Sequence, residues 1–279
     1  MVDIHPTAVV SPEAELGAGV LIGPHAVVEA GVTVGEGTRI MAGAYICTGT
    51  TLGRGNEVHM HAVLGHVPQD THFSGGDTFL QIGDRNVFRE MVTVHRGTQA
   101  GSSTRVGSGT LLMACSHVAH NCTVADGAIL ANGALLAGHV EVGERAFVSG
   151  NALVHQFTRL GRLAMVAGGA RATRDVPPFC LTEGENRLRD LNRIGLRRFG
   201  MTAETIAALG RAYRRLFLGT DSPDSAARAM LSEDGLPPEA REMAEFLLAS
   251  ERGVCRPRRP RRGRGESGSS IPPDGPEAT

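Results

Sequence analysis

The chain has 279 residues and a formal net charge of −1 at pH 7, which suits one large domain or two modest ones. Aromatic residues make up only 4% and tryptophan is absent, which argues against a core built from large rings. No apolar run of about 18 residues and no signal-peptide pattern occurs, so we expect neither a membrane span nor secretion. The five cysteines form no CxxC pair and no disulfide-framework spacing, which favours a reducing, cytoplasmic setting.

Apolar residues recur at every sixth position along most of the chain, from Ile4 to Val166. Of the 28 positions in this register, 24 are Ile, Leu or Val. A second column of mostly small residues, such as Ala8 and Ala128, follows four residues after each anchor. Neither a helix period of 3.6 nor a strand period of two explains this spacing. The pattern predicts a mainly β fold, in which hexapeptide repeats wind into a triangular parallel β-helix.

The predicted β-helix occupies residues 1–178, with loops near 66–80 and 97–105 that interrupt the register without shifting it. Helix signals follow in 179–253, which we expect to form a small α-helical C-terminal domain. Ser222 and Pro223, for example, form an N-cap followed by a first-turn proline. Residues 254–279 are rich in Arg, Pro, Gly and Ser, which predicts a disordered tail.

None of the eleven histidines falls on an inward column, so all are expected to face outward. Residues 18 apart should stack in successive turns, which places His120, Gly138 and Gln156 on one edge of the coil. Three further histidines are predicted to join this edge: His117, His139 and His155. A neutral imidazole can act as a general base near physiological pH, and a backbone N–H at Gly138 can stabilise an oxyanion.

Zinc is the competing chemistry for a cluster of histidines, because three imidazoles and a water form a catalytic zinc site. Hexapeptide carbonic anhydrases bind zinc in this way, but their sequence-adjacent ligands are typically spaced more widely than His117 and His120. We therefore expect no metal and no other cofactor.

Seven short motifs occur in a fixed order along the chain. They are Val94-His95-Arg96-Gly97-Thr98, Leu111-Leu112-Met113, His117-Val118-Ala119-His120-Asn121-Cys122, Leu136-Ala137-Gly138-His139, Val154-His155-Gln156-Phe157, Asp175-Val176-Pro177-Pro178 and Gly195-Leu196-Arg197-Arg198. Over about residues 3–250, the ordered set resembles the acyl-[acyl-carrier-protein]–UDP-N-acetylglucosamine O-acyltransferases, the first enzymes of lipid A synthesis. The resemblance implies a left-handed coil and a cytoplasmic homotrimer with active sites between subunits. It also implies transfer of a 3-hydroxyacyl group from acyl carrier protein to the 3-hydroxyl of UDP-N-acetylglucosamine.

The same resemblance implies roles for individual residues. His120 would be the general base, the Gly138 amide would stabilise the oxyanion, and Asn121 stands where the family commonly has Asp. Since Asn carries no charge, we expect it to support an imidazolium less well. The implied substrate-binding residues are Gln69, Asp70, His72, His117, His139, His155, Gln156, Asn192 and Arg198.

Other positions depart from the family or set its substrate preference. His72 stands where Lys is frequent, and Ile194 and Phe199 replace an acidic residue and a second Arg, so nucleotide contacts from the helical part are expected to differ. Gly168 matches the floor of the acyl channel. A glycine there leaves room for a long 3-hydroxyacyl chain.

Two interpretations of partners and activity remain open. Residues 187–215 contain eight arginines but only two acidic residues, Asp190 and Glu204, which fits either a solvated helical face or a dock for acidic acyl carrier protein.

The alternative activities are acyl transfer to the amino group of a UDP-sugar and, less well supported, a carbonic-anhydrase-like zinc protein. A non-enzymatic scaffold would not explain the histidine edge or the ordered motifs. No nucleic-acid partner is expected.

Overall fold

The computed structural model describes residues 1–258, which form 28 strands and four helices. In chain order the strands are β1 (Asp3–Ile4), β2 (Val9–Val10), β3 (Glu15–Leu16), β4 (Leu21–Ile22), β5 (Val27–Val28), β6 (Thr33–Val34), β7 (Arg39–Ile40), β8 (Tyr45–Ile46), β9 (Thr50–Leu52), β10 (Glu57–Val58), β11 (Val63–His66), β12 (Phe79–Ile82), β13 (Val87–Phe88), β14 (Thr93–His95), β15 (Ser103–Val106), β16 (Leu111–Leu112), β17 (His117–Val118), β18 (Thr123–Val124), β19 (Ile129–Leu130), β20 (Leu135–Leu136), β21 (Glu141–Val142), β22 (Phe147–Val148), β23 (Leu153–Val154), β24 (Arg159–Leu160), β25 (Met165–Val166), β26 (Arg171–Ala172), β27 (Cys180–Glu183) and β28 (Arg187–Leu191). The helices are α1 (Arg193–Arg198), α2 (Ala203–Phe217), α3 (Pro223–Leu231) and α4 (Pro238–Leu248).

The strands of the coil form three flat faces, because each pairs in parallel with the strand three places further along. Face 1 contains β1 and every third strand to β25, face 2 runs from β2 to β26, and face 3 from β3 to β24. The partners are 18 residues apart where no loop intervenes, as for His117 and Leu135. The anchors and the small residues fill the interior; Leu112, Leu130, Ala128 and Ala134 are fully buried. The hexapeptide register predicted from the sequence is therefore confirmed.

Tight turns join the faces along three edges, which we name by one residue each. The His120 edge joins face 2 to face 3 and stacks 120–121, 138–139 and 156–157. The Leu163 edge joins face 3 to face 1 and stacks 126–127, 144–145 and 162–163. The Gly168 edge joins face 1 to face 2 and stacks 132–133, 150–151 and 168–169.

Two loops leave the coil on either side of β12, β13 and β14. The longer loop, residues 67–78, connects β11 to β12, and the shorter one, residues 96–102, connects β14 to β15. Strands on both sides keep their pairing, since β12 pairs with β9 and with β15. The coil is therefore continuous across both loops, as the unbroken six-residue register predicts.

The helical part begins at Arg193, later than the predicted 179, because residues 180–191 form a hairpin. Strand β27 adds to face 1 beside β25, and β28 pairs antiparallel with β27. The Asn192 side chain then caps α1 by accepting a hydrogen bond from Gly195 N. Ser222 caps α3 with proline at its first turn, which confirms that prediction.

After α4 the chain returns to the coil instead of becoming disordered at residue 254. Val254 bridges to Asp175 and Arg256 to Arg187, and the side chains of Val254 and Cys255 are buried. The prediction of disorder is thus wrong for 254–256, because two apolar residues there complete the core. The predicted disorder of residues 259–279 lies outside the described part of the chain. Across residues 1–258, no helix combines the length and apolar character needed to cross a bilayer.

Candidate active site

His120 lies directly against Gly138 on the His120 edge. A β-carbon built at Gly138 would lie 2.5 Å from Cε1 and 2.7 Å from Nε2 of the imidazole. The two residues belong to successive turns, since His139 N donates to His120 O at 3.0 Å. The His120 side chain remains 15% exposed, so its ring is accessible from the outside of the coil. The stacking expected from the 18-residue repeat is present.

The backbone N–H of Gly138 takes no part in the hydrogen-bond ladder of the coil. Its carbonyl accepts from Phe157 N at 3.1 Å, but no hydrogen bond joins its N–H to another described residue. Gly138 is buried under the His120 ring, and its N–H is a donor without a partner among the described residues, beside the imidazole.

The 67–78 loop brings a carboxylate to the same place. Asp70 Oδ2 lies 3.9 Å from His120 Nε2. The other oxygen, Oδ1, accepts from His72 N at 2.9 Å and lies 3.1 Å from His72 Nδ1. The hydrogen bond from the His72 backbone is the main cause of the lowered pKa of Asp70, which favours the carboxylate. His72 itself is 93% exposed, and Gln69 is exposed on the same loop.

Asn121 contacts the other side of the imidazole. Its Oδ1 lies 3.0 Å from His120 Nδ1 and also accepts from the backbone N–H and the hydroxyl of Thr98, at 3.1 and 2.9 Å. Thr98 belongs to the 96–102 loop. The 67–78 loop therefore reaches the Nε2 side of His120 through Asp70, and the 96–102 loop supports the Nδ1 side through Asn121.

His139 packs against His120 from the next turn. The two rings meet edge to face with centroids 5.3 Å apart, and Phe157 stacks on His139 at 4.6 Å. Burial lowers the pKa of His139, and the neighbouring His120 adds to this effect. A neutral His139 places no positive charge beside His120.

His117 and His155 both lie on the face 2 side of the His120 edge, His117 in β17 and His155 directly after β23. His117 Nδ1 lies 2.7 Å from Thr93 Oγ1, and burial lowers the pKa of His117. His155 Nδ1 lies 3.2 Å from Gln156 O and 3.4 Å from a guanidinium nitrogen of Arg252, while the Gln156 side chain is exposed. Arg252 comes from the segment after α4, and no feature of the sequence pointed to it.

His95 contradicts the expectation that every histidine faces outward. It is only 5% exposed, its ring lies 4.8 Å from that of His117, and its Nδ1 has no hydrogen-bond partner among the described residues. It ends β14 on face 2, where the rings of His66 and His117 from the neighbouring turns lie on either side of it, with centroids 6.4 and 4.8 Å away. Burial, with a smaller effect from His117, lowers the pKa of His95 to about 4.

A shallow groove of about 310 Å³ runs along face 2 from His117. Its lining is largely apolar and comprises His117, Ala119, Leu135, Leu136, Ala137, Leu153, Val154, His155 and Arg171. Leu135 and Leu153 point outward from their strands and stay more than two-fifths exposed, so they offer apolar surface to this groove. Gly168 is exposed on the Gly168 edge, three residues before Arg171 at the end of the groove.

Asn192 and Arg198 lie on another edge of the same chain. Asn192 Nδ2 donates to Leu163 O at 3.0 Å, and Phe199, beside Arg198, packs under the guanidinium of Arg145 at 5.0 Å. Both contacts belong to the Leu163 edge. A single chain therefore does not bring Asn192, Ile194, Arg198 or Phe199 to His120.

The histidines are not arranged around a metal. Among residues 1–258, no three His, Cys, Asp or Glu side chains converge as metal ligands would. The two nitrogens of His120 face Asp70 and Asn121.

Known proteins are similar to this chain in sequence and fold over almost its whole length. A family described as UDP-N-acetylglucosamine O-acyltransferase, domain 2, matches residues 175–255, and a bacterial transferase hexapeptide family matches residues 31–66. The acyl-[acyl-carrier-protein]–UDP-N-acetylglucosamine O-acyltransferase of Anaeromyxobacter sp. (strain Fw109-5) is 45% identical over 91% of this chain and 99% of its own. The enzyme of the same name from Myxococcus xanthus is 47% identical over 92% and 100%.

Solved structures agree with these sequence comparisons. The UDP-N-acetylglucosamine acyltransferase from Campylobacter jejuni superposes with a TM-score of 0.87 at 35% identity, covering 92% of this chain and 100% of that one. The predicted fold class, a left-handed parallel β-helix of hexapeptide repeats with a small α-helical C-terminal part, is confirmed. This chain belongs to the family of acyl-[acyl-carrier-protein]–UDP-N-acetylglucosamine O-acyltransferases.

Proposed function

We propose that this chain transfers a 3-hydroxyacyl group from acyl carrier protein to the 3-hydroxyl of UDP-N-acetylglucosamine, the first step of lipid A synthesis, with His120 as general base. The observation that carries the proposal is the arrangement on the His120 edge. A partly exposed imidazole, the unpaired Gly138 N–H and the Asp70 carboxylate lie together on this edge. Acyl transfer needs these groups: a base, an oxyanion donor and a group that orients the acceptor.

The reaction balances with these groups alone. His120 Nε2 takes the proton of the sugar 3-hydroxyl while that oxygen forms a bond to the thioester carbonyl carbon. The carbonyl oxygen becomes an oxyanion, which accepts a hydrogen bond from Gly138 N–H. The intermediate then collapses, the carbon–sulfur bond breaks, and the imidazolium returns its proton to the thiolate of the carrier.

Asp70 orients the acceptor in this scheme. Its Oδ2 is 3.9 Å from His120 Nε2, too far for a direct hydrogen bond but suited to a sugar hydroxyl between or beside them. Its lowered pKa keeps it an acceptor, so it binds hydroxyl donors. Gln69 and His72 extend the same loop, and His117, His139, His155 and Gln156 flank the edge, where they bind the sugar nucleotide.

The groove on face 2 holds the acyl chain. It starts at His117, beside the reacting edge, and exposes Leu135 and Leu153 along its floor. Gly168 lies near its far end, where the absence of a side chain leaves room for a long chain.

The complete site lies between subunits of a homotrimer. Asn192 and Arg198 match nucleotide-binding positions of the family, yet they lie on the Leu163 edge of their own chain. Placing them beside a His120 edge requires a second copy. Light scattering on the purified protein tests this: a trimer is expected, and a monomer with full activity would contradict it.

Acyl carrier protein docks on the arginines of α2 that have no acidic partner. Arg187, Arg189, Arg193 and Arg215 are paired with Glu183, Glu183, Asp190 and Glu233, so only part of the cluster is available. Arg211 and Arg214 are exposed and make no ion pair among the described residues.

We place the reaction in the cytoplasm, because all five cysteines are free.

The decisive experiment supplies the purified chain with UDP-N-acetylglucosamine and a panel of acyl carrier thioesters, with products read by mass spectrometry. The expected product is the 3-O-acyl sugar nucleotide from a long 3-hydroxyacyl donor. A parallel reaction contains the corresponding 3-amino sugar nucleotide. Exclusive acylation of the amine would replace the proposed acceptor, and no product with either would overturn acyl transfer.

A further inference from the structure

We propose that Thr98 is a positioning residue that sets the tautomer of His120. Through the side-chain amide of Asn121, it holds the neutral imidazole with the proton on Nδ1 and the lone pair on Nε2. The proposal rests on the proposed function, since it explains how the base is kept ready to accept a proton.

The orientation of the Asn121 amide follows from Thr98. A backbone N–H can only donate a hydrogen bond. The Asn121 atom 3.1 Å from Thr98 N must therefore be the carbonyl oxygen and not the amide nitrogen. The Thr98 hydroxyl lies 2.9 Å from the same atom and donates to it as well. The two donors of Thr98 thus exclude the flipped orientation of the Asn121 amide. The positions of the oxygen and nitrogen of an asparagine amide are usually ambiguous.

The tautomer of His120 follows from the amide. The same Asn121 oxygen lies 3.0 Å from His120 Nδ1, and an amide oxygen can only accept. Nδ1 must therefore carry the proton. In a neutral imidazole the other nitrogen, Nε2, then has the lone pair, and it is Nε2 that faces Asp70 and the open edge. Free histidine in water prefers the opposite tautomer, so the protein has to impose this one.

Thr98 is held firmly enough to fix the Asn121 amide, and with it the tautomer of His120. The residue is only 9% exposed, although it belongs to a loop. The loop is closed by hydrogen bonds from Gly97 N to Phe79 O at 3.2 Å and from Gln99 N to the Ser102 hydroxyl at 3.0 Å. On the other side, Asn121 N donates to the Thr104 hydroxyl at 2.8 Å. Both ends of the contact are thereby fixed to the coil.

This arrangement also explains how asparagine serves where the family commonly has aspartate. Either side chain offers an oxygen to His120 Nδ1, so either can fix the tautomer. Only aspartate would add a negative charge. The geometric part of the role is therefore kept here, and the electrostatic part is not.

The test is a direct reading of the tautomer in the full chain without substrate. Histidine labelled with ¹⁵N gives long-range ¹H–¹⁵N correlations that distinguish protonated from bare ring nitrogens, and His120→Gln assigns the signals. At a pH where His120 is neutral, we expect a protonated Nδ1 and a bare Nε2. A protonated Nε2 would overturn the proposal, whatever the activity.

Variants at Thr98 separate positioning from a merely structural role. Thr98→Val keeps the N–H but removes the hydroxyl; we expect a detectable fraction of the Nε2–H tautomer and a fall in kcat of up to about tenfold, the worth of one hydrogen bond. Thr98→Ser should restore both the tautomer population and kcat. Thr123 is an exposed threonine on β18, and Thr123→Val should change neither quantity.

The outcomes distinguish this proposal from the proposed function. A Thr98→Val protein with a wild-type spectrum and kcat would show that the hydroxyl does not position Asn121. Conversely, an Nδ1–H tautomer in a protein that forms no acylated product would refute the proposed function and leave the tautomer assignment standing.

Discussion

The imidazole of His120 occupies the space that a side chain at Gly138 would fill. Cε1, Nε2 and Nδ1 of the ring all lie 2.5–3.1 Å from the β-carbon position of residue 138. The backbone of Gly138 is not in the left-handed region, so glycine is needed here for close approach and not for its torsion angles. The position of the proposed base therefore depends on the absence of one carbon atom in the next turn.

Gly138→Ala should displace the His120 ring while leaving the coil folded, because the conflicting atoms belong to a side chain that can move. We expect kcat to fall by about 10²-fold, as for a small misplacement of reacting groups. Turnover and thermal melting are measured together. The matched control is Gly150→Ala, where the added carbon would meet only Asn132 O at 3.5 Å; equal effects of both changes would contradict the steric explanation.

His120→Ala should lower kcat by roughly 10²–10⁴-fold, the usual contribution of a general base. The melting temperature should stay close to that of the wild type, because the ring lies on the outside of the coil and supports no core contact. His5→Ala, at an exposed position in the first turn of the coil, serves as control. Retained turnover in the His120 variant would refute its assignment as base.

Gly168→Leu should shift donor preference toward shorter acyl chains. The position accepts a side chain, since the nearest atom to an added β-carbon is Gly150 O at 3.6 Å and the backbone is not left-handed. Ratios of kcat/KM for long and short carrier thioesters provide the measurement. An unchanged ratio would mean that the acyl chain does not reach this edge, whereas a raised KM for the sugar nucleotide alone would point to a different binding site.

Acidification should destabilise the protein through His95. Burial lowers the pKa of His95 from 6.5 to about 4, so between these values the unfolded chain binds a proton that the folded chain does not. The free energy of unfolding should therefore fall as the pH drops through this window. The shift corresponds to about 3 kcal/mol between pH 7 and pH 4.

Denaturant unfolding of His95→Phe supplies the comparison for this window. The variant cannot take up a proton at position 95, so its loss of stability between pH 7 and pH 4 should be smaller than that of the wild type. Parallel curves for the two proteins would show that the pH dependence arises elsewhere, for example at His117 or His139.

Replacing Arg211 and Arg214 together by Gln should raise the KM for acyl carrier protein about threefold or more at low salt, because long-range attraction to an acidic partner would be lost. The difference from wild type should shrink as ionic strength rises. Arg187→Gln, whose guanidinium is already paired with Glu183 at 3.4 Å, is the control. A salt-independent KM in the wild type would favour the interpretation of these arginines as a solvated helical face.

The repeat made much of the fold and the central contact predictable from sequence. A period of six with one large and one small inward residue has one regular solution, and an 18-residue turn then brings position 120 next to position 138. The prediction that His95 faces outward is wrong, because a periodic pattern assigns a face to each residue but does not show how closely the side chains of neighbouring turns, here His66 and His117, pack around it.

The hairpin β27–β28 and the return of Val254 to the coil were not visible in local patterns either. Residues 180–191 carry no alternation strong enough to distinguish them from the helical region that follows. Their strands form because face 1 offers an unpaired edge beside β25. Pairing of this kind depends on a partner that is remote in sequence.

The sequence by itself determined the coil, its register and the stacking of His120 on Gly138, since each follows from a fixed rise per turn. Only the tertiary structure decided that Asp70 reaches one nitrogen of His120 and that Thr98, through Asn121, fixes the other. These contacts come from two loops outside the repeat. Their paths are set by hydrogen bonds and packing against distant turns, and no periodicity encodes them.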